Sequence, residues 1–253
     1  MTTNYNELVN NLQELGLNKM AEILPSAIAA ASKADISFID SLLNLTKEEI
    51  LFRDERARKI NITVSSFPYL KTIKDFDFSY QPEINKQQIL DLASLVFMEQ
   101  KSNIVFIGSP GTGKTHLATA IGIEAASKRI STYFINFAAL MARIKKAVAE
   151  KREEQIIKHY LKYSLLIIDE LGYMPVCKES SYVFFQLIAA RYEKRSTIIT
   201  SNQPFSKWGE VFGDNVIATA IIDRIVHHCD IIKINGLSYR IKGKHIYDVD
   251  ENQ

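Results

Sequence analysis

The chain has 253 residues, 47% of them hydrophobic, which is enough apolar material for an α/β domain with a smaller appendage and argues against disorder. A formal net charge of +2 makes no case by itself for a nucleic-acid partner, and no run approaches the ~18 apolar residues of a membrane span. The start, Met-Thr-Thr-Asn-Tyr-Asn, lacks the basic and apolar stretches of a secretory leader, so a cytoplasmic protein is expected; Cys177 and Cys229, far apart and without ligand spacing, read as free thiols rather than a zinc site.

Residues 1–65 carry helical patterning and no strand signal, and are expected to form an N-terminal helical domain ahead of a larger domain over 66–253. Leu8, Leu12 and Leu15 recur at helical spacing before Gly16, and Met20, Ile23 and Leu24 begin a second run that Pro25 is expected to kink or divide unless it sits in a first turn. Ser37 with Asp40 and Thr46 with Glu49 have capping-box spacing, which predicts helices near 38–45 and 47–60. Residues 61–85, with Pro68, Pro82 and the aromatics Phe76, Phe78 and Tyr80, read as an extended connection packed on the larger domain. A helix over 84–99 follows. Strands at 104–107, 132–136, 165–169, 197–201 and 231–234 then alternate with helices at 115–128, 138–160, 180–194 and 216–228. That alternation predicts an α/β fold with a parallel five-stranded sheet between helices.

The first of these strands runs into Gly108-Ser109-Pro110-Gly111-Thr112-Gly113-Lys114-Thr115, the pattern G-x-x-x-x-G-K-[ST]. Its glycines let the backbone N–H groups curl around phosphate oxygens, and the helix behind it presents its N-terminal dipole to the anion. Lys114 is placed to reach the β- and γ-phosphates and Thr115 to bind Mg²⁺, so a nucleoside triphosphate is expected here. The apolar run 165–168 ends in Asp169-Glu170, two acids at the carboxyl edge of a buried strand, where open α/β sheets bind ligands. Asp169 suits Mg²⁺ and Glu170 suits deprotonation of the water that attacks the γ-phosphate; the same pattern also ends ordinary strands with solvated acids. Asn202, after the strand 197–201, is a candidate for positioning that water, or else simply the start of a turn.

Charge is uneven along the chain. Between 128 and 162 nine Lys and Arg face three Glu, while residues 1–100 hold ten basic and fourteen acidic groups. Arg143, Lys145, Lys146, Lys151 and Arg152 read as phosphate-contacting DNA ligands or as a solvated helix face, and Arg53, Arg56 and Lys59 offer a second, diluted basic surface. His227-His228, His159 and His245 lack metal-ligand spacing, His116 merely follows the loop, and Trp208 reads as a packing anchor. No N/T-K-x-D guanine-reading motif follows the core strands.

Phe76-Asp77-Phe78, GSPGTGKTH at 108–116, LLIIDELGYMP at 165–175, RYEKRSTIITSNQPFSKWGEVFGD at 191–214, IIDRIVHH at 221–228 and GLSYRIK at 236–242 together resemble the IstB family of transposition helper ATPases, in the AAA+ superfamily and related to DnaC-type helicase loaders. The resemblance covers nearly the whole chain. It implies an AAA+ P-loop NTPase core that uses ATP and Mg²⁺, assembles as a homo-oligomer around double-stranded DNA and stimulates an IstA-type transposase. It also suggests that Arg224 reaches a neighbouring subunit's γ-phosphate, that Arg240 senses the nucleotide, and that the basic stretch near 143–152 lines a pore. By residue type alone both arginines also read as surface ion pairs or packing stems. Pro25 departs from the family pattern. The competing expectations are a helicase loader acting on single strands and a nucleotide-gated DNA sleeve with negligible turnover.

Overall fold

The computed structural model describes residues 3–34 and 36–241, so Lys242 and His245 lie outside the described residues. The chain divides into two compact units between Ile60 and Asn61. The first holds α1 (Thr3–Glu14), α2 (Asn18–Ala34) and most of α3 (Phe38–Val64) around a small core of Leu12, Met20, Ala21, Leu24 and Leu45. Pro25 lies inside α2 without dividing it. The two helices predicted near 38–45 and 47–60 are one helix, α3. Thr46 donates back to the Leu42 and Leu43 carbonyls as a mid-helix residue, and buried Glu49 accepts instead from Lys19 N at 2.8 Å and Met20 N at 3.1 Å, capping α2 from thirty residues away. Burial alone would raise the Glu49 pKa, but these bonds and the Arg53 guanidinium hold it below the usual carboxylate range. Ser37 does cap α3, accepting from Asp40 N at 3.1 Å.

In the second unit the connection carries a short 3-10 turn, Ile73–Asp75, and packs Phe67, Ile73, Phe76 and Phe78 on the core. Then come α4 (Lys86–Ala93) and α5 (Val96–Glu99), where a single helix is predicted; Leu95, left-handed at φ 75°, separates them. After β1 (Asn103–Gly108), α6 (Lys114–Ser127) and β2 (Thr132–Asn136), the helix predicted over 138–160 is likewise two, α7 (Phe137–Ala149) and α8 (Glu153–Leu161), broken at left-handed Lys151. The chain finishes through β3 (Leu165–Leu171), α9 (Lys178–Arg191), β4 (Ser196–Ser201), the unpredicted one-turn α10 (Trp208–Phe212), α11 (Asn215–Val226) and β5 (Cys229–Ile234).

All five strands are parallel, in the order β2-β3-β4-β1-β5. Their sides are covered by separate cores, one built on α6 with Ile104, Phe106, Ile167 and Ile198, the other on α7, α9 and α11 with Val105, Leu166, Ile168 and Ile199. The strict alternation of Ile104/Val105 and Ile167/Ile168 between these cores is what a doubly covered strand requires, and burying each such side chain stabilises the fold by roughly 1.5–3 kcal/mol. Trp208 is fully buried in the second core, as a packing anchor. Among the described residues no helix is long and apolar enough to cross a membrane.

Candidate nucleotide site

Because the strands run parallel, β1, β3 and β4 deliver Gly108, Asp169 and Ser201 to one edge of the sheet. There the loop 109–113 wraps ahead of α6 and a cleft of about 300 Å³ opens, bordered by Lys114, Thr115, Glu170, Asn202 and Arg240. Ser109 and Pro110 form the exposed outer bend and Thr112 folds its hydroxyl back on Ser109 O at 2.9 Å. Gly113 has φ 98°, and a Cβ there would stand 2.5 Å from the Phe76 ring; a Cβ at Gly111, φ 80°, would stand 2.0 Å from Ser238 Oγ. Both positions thus demand glycine, by their left-handed backbone and by the side chains packed against them, and the loop keeps the tightly curled shape that a phosphate-gripping loop needs. Lys114 is buried, its Nζ donating to Gly108 O (2.8 Å) and Ser109 O (2.7 Å), and burial pushes its pKa down to about 8 against the pull of Asp169.

Asp169 is buried and accepts from both Thr115 Oγ1, at 2.9 Å, and Thr200 Oγ1. Burial raises its pKa while the two hydroxyls oppose the shift. Thr115 and Asp169 therefore make the pair of oxygen donors that a hard cation such as Mg²⁺ takes in company with phosphate oxygens. Glu170, next in sequence, faces a different environment. The β3–β4 register slips between Ile168 and Leu171, Glu170 is left-handed at φ 62°, and its N–H donates to Thr200 Oγ1 at 2.9 Å. Such bulges re-aim side chains. The Glu170 carboxylate accepts from Asn136 Nδ2 at 2.7 Å, while Asn136 Oδ1 caps α7 by accepting from Ala138 N at 2.9 Å. Asn136 was missed from the sequence, although a polar residue ending a strand is the signal that singled out Asn202. Asn202 lines the same cleft, and its buried Oδ1 has no hydrogen-bond partner among the described residues, as an acceptor awaiting a water or ligand would.

The connection and the last described segment close over the loop. His116, expected merely to follow it, brings Nε2 within 2.8 Å of Thr72 O and its ring edge-on to Phe76. Tyr239 N donates to Gly111 O at 2.8 Å, Tyr80 OH to Ser238 O at 3.2 Å and Gln81 Nε2 to Leu237 O at 2.7 Å. Arg240 thereby reaches the cleft, where its charge opposes that of Lys114.

The other predicted residues stand apart. Arg224, on α11, lies over the Phe185 ring at 4.7 Å and donates to Ala220 O. Arg143 is held by the hydroxyls of Tyr133 (3.0 Å) and Tyr160 (3.2 Å). Lys145 and Lys146 are exposed on α7, whereas Lys151 and Arg152 belong to the turn before α8, with Glu150 lying 3.9 Å from Lys146 and 3.3 Å from Arg152.

The sequence profile of the IstB-like ATP binding protein family matches residues 10–246. The chain is 50% identical over 242 residues to a protein named for ATP binding in insertion sequence IS232 of Bacillus thuringiensis subsp. berliner, covering 96% of this chain and 97% of that one. It is 41% identical over 234 residues to the corresponding protein of insertion sequence IS5376 from Geobacillus stearothermophilus, covering 92% and 93%. Among solved structures, the DnaC helicase loader superposes with a TM-score of 0.52 at 24% identity, over 69% of this chain and 98% of that one. AMPPCP-bound DnaA from Aquifex aeolicus gives 0.56 at 18%, over 67% and 51%. These two establish the AAA+ fold alone. With its phosphate loop, paired strand-end acids and full-length likeness to insertion-sequence proteins, the chain belongs to the IstB-like ATP-binding protein family.

Proposed function

We propose that this protein is an Mg²⁺-dependent ATPase that assembles on double-stranded DNA and, in that state, stimulates the IstA-type transposase of its insertion sequence. The observation that carries the catalytic part is the separation of two adjacent acids. Asp169 is turned to Thr115 as a metal ligand, and Glu170 is re-aimed by the bulge as a base for water. Lys114 leaves its loop carbonyls for the β- and γ-phosphates, the loop N–H groups from Gly108 to Thr115 cradle them, and Asn202 orients the attacking water. Bound Mg²⁺ supplies charge neutralisation between the phosphates. Arg224 serves the γ-phosphate of a neighbouring copy and Arg240 the nucleotide of its own, so turnover depends on a homo-oligomer. Lys145, Lys146, Lys151, Arg152 and the tyrosine-braced Arg143 contact DNA phosphates without reading sequence. The division near residue 60 supports separate duties for the helical unit, which we assign to partner contact, and the ATPase unit.

Glu170→Gln separates this reading from a nucleotide-gated sleeve. Loss of a general base lowers turnover by about 10²–10⁴-fold with nucleotide binding retained, and unchanged turnover refutes the assignment. Assembly on duplex rather than single-stranded DNA, followed by light scattering with ATP, separates it from a helicase loader. The insertion-sequence relatives favour the duplex reading, since the loader likeness is one of fold.

A further inference from the structure

At the opposite edge of the sheet, where the strands begin, a second set of metal-ligating groups converges. His227 and His228 follow α11 and run into β5, and the His228 carbonyl accepts from Asn103 N at the start of β1. Glu193 comes from the turn after α9, more than thirty residues earlier, which is why histidine spacing alone gave no sign of the cluster. We propose that Glu193, His227 and His228 bind one divalent transition-metal ion of the zinc class.

One donor atom from each lies within 4.8 Å of the other two, and among the described residues no other three His, Cys, Asp or Glu donors come so close. His228 Nε2 stands 3.5 Å, and His227 Nδ1 4.0 Å, from the same Glu193 carboxylate oxygen. Ligands held about 2.0–2.1 Å from a tetrahedral zinc lie roughly 3.4 Å apart, so small side-chain rotations close the site. The side chains are 54%, 49% and 55% exposed for His227, His228 and Glu193, free to make that adjustment and open to an ion from solvent. The Tyr192 hydroxyl lies 2.8 Å from His227 Nδ1 and gives way when the ion takes the lone pair of that nitrogen; the two imidazole rings lie 4.2 Å apart. Two imidazoles and a carboxylate suit zinc, nickel or cobalt rather than magnesium, and leave a fourth position for water or an outside ligand. The ion ties the end of α11 to the α9–β4 turn, one helical turn from Arg224, the residue assigned above to a neighbour's nucleotide. The site itself stands without that assignment.

The test uses the full chain without nucleotide, in excess Mg²⁺ so that Thr115 and Asp169 do not compete for the probe. Co²⁺ is titrated and its visible d–d band followed, then displaced by Zn²⁺. One ion per chain is expected at micromolar concentration, with binding weakened in His228→Ala and in Glu193→Gln by at least the roughly 10–100-fold that loss of a mere supporting residue brings, while the metal-free melting temperature holds. No band from the wild type, or a band that survives both substitutions, overturns the proposal. If His228→Ala melts early, Glu193→Gln, which keeps the shape and removes one charge, decides alone.

Discussion

Replacing Asn136 by Ser tests how the site is held at rest. The Asn136 amide donates to the Glu170 carboxylate at 2.7 Å, a charge-assisted bond worth about 1.5–3 kcal/mol; with Glu170 partly exposed the lower figure applies. Serine cannot span that gap, but it still caps α7 as Asn136 does toward Ala138 N, so helix stability is preserved. Freeing the carboxylate by ~1.4 kcal/mol raises the fraction of Glu170 available as a base about tenfold. Basal ATP turnover, followed by phosphate release without DNA, is therefore expected to rise about tenfold. On the reading that assembly on duplex DNA stimulates turnover by freeing this carboxylate, turnover with saturating duplex changes little, so stimulation by DNA shrinks by the same factor. Asn136→Ala gives the same kinetic change with about 1 kcal/mol of lost stability from the missing cap. If Asn136→Ser leaves basal turnover at the wild-type value, the contact does not restrain the base and the reasoning is wrong.

Three further outcomes follow from the same geometry. Lys114, pushed down to about 8, is already charged below that pH; above it, nucleotide binding must take up a proton, because phosphates restore the ammonium. Fluorescent-nucleotide affinity is thus expected to hold below pH 8 and to weaken by up to about tenfold per pH unit above it, and a flat profile from pH 7 to 9.5 counts against the buried lysine. Reversing both Lys145 and Lys146 to Glu is expected to lower the salt dependence of DNA affinity by roughly 2 in log–log slope, about 0.9 per lost phosphate contact, and an unchanged slope removes α7 from the interface. Arg191 is fully buried and donates to the carbonyls of Tyr160, Tyr163 and Ser196 and to Thr197 Oγ1, joining the end of α8 to the start of β4. Arg191→Leu leaves these acceptors bare and is expected to cost about 3 kcal/mol, lowering the melting temperature by roughly 10 °C; calorimetry showing less than 2 °C contradicts that accounting.

The sheet and the phosphate loop were legible because their signals are local. Four apolar residues between polar ends mark a buried strand, and Gly108 through Thr115 encode their own backbone shape. Pairing was not legible, and neither was what pairing brings together. Asn136 matters only because β2 lies beside β3 in the register that sets Asn136 against Asp169. Glu49 misled for the same reason, since its spacing from Thr46 fits a capping box while its partners are Lys19 and Met20 on another helix. The breaks at Leu95 and Lys151 occur at residues with good helix propensity that turn left-handed, with no glycine or proline to announce them. At Pro25, by contrast, the helix is not divided, and Met20, Leu24 and Ala27 pack on both sides of it in one small core.

The hydrogen bond from Tyr239 to Gly111 makes the bend that grips phosphate also a mooring for the stretch of chain beyond β5, and Gln81 and Tyr80 fasten that stretch to the connection before β1. Three distant parts of the polypeptide are thus spliced at one bend. Any shift of that bend would therefore be shared by all three, the stretch beyond β5 and the connection before β1 included.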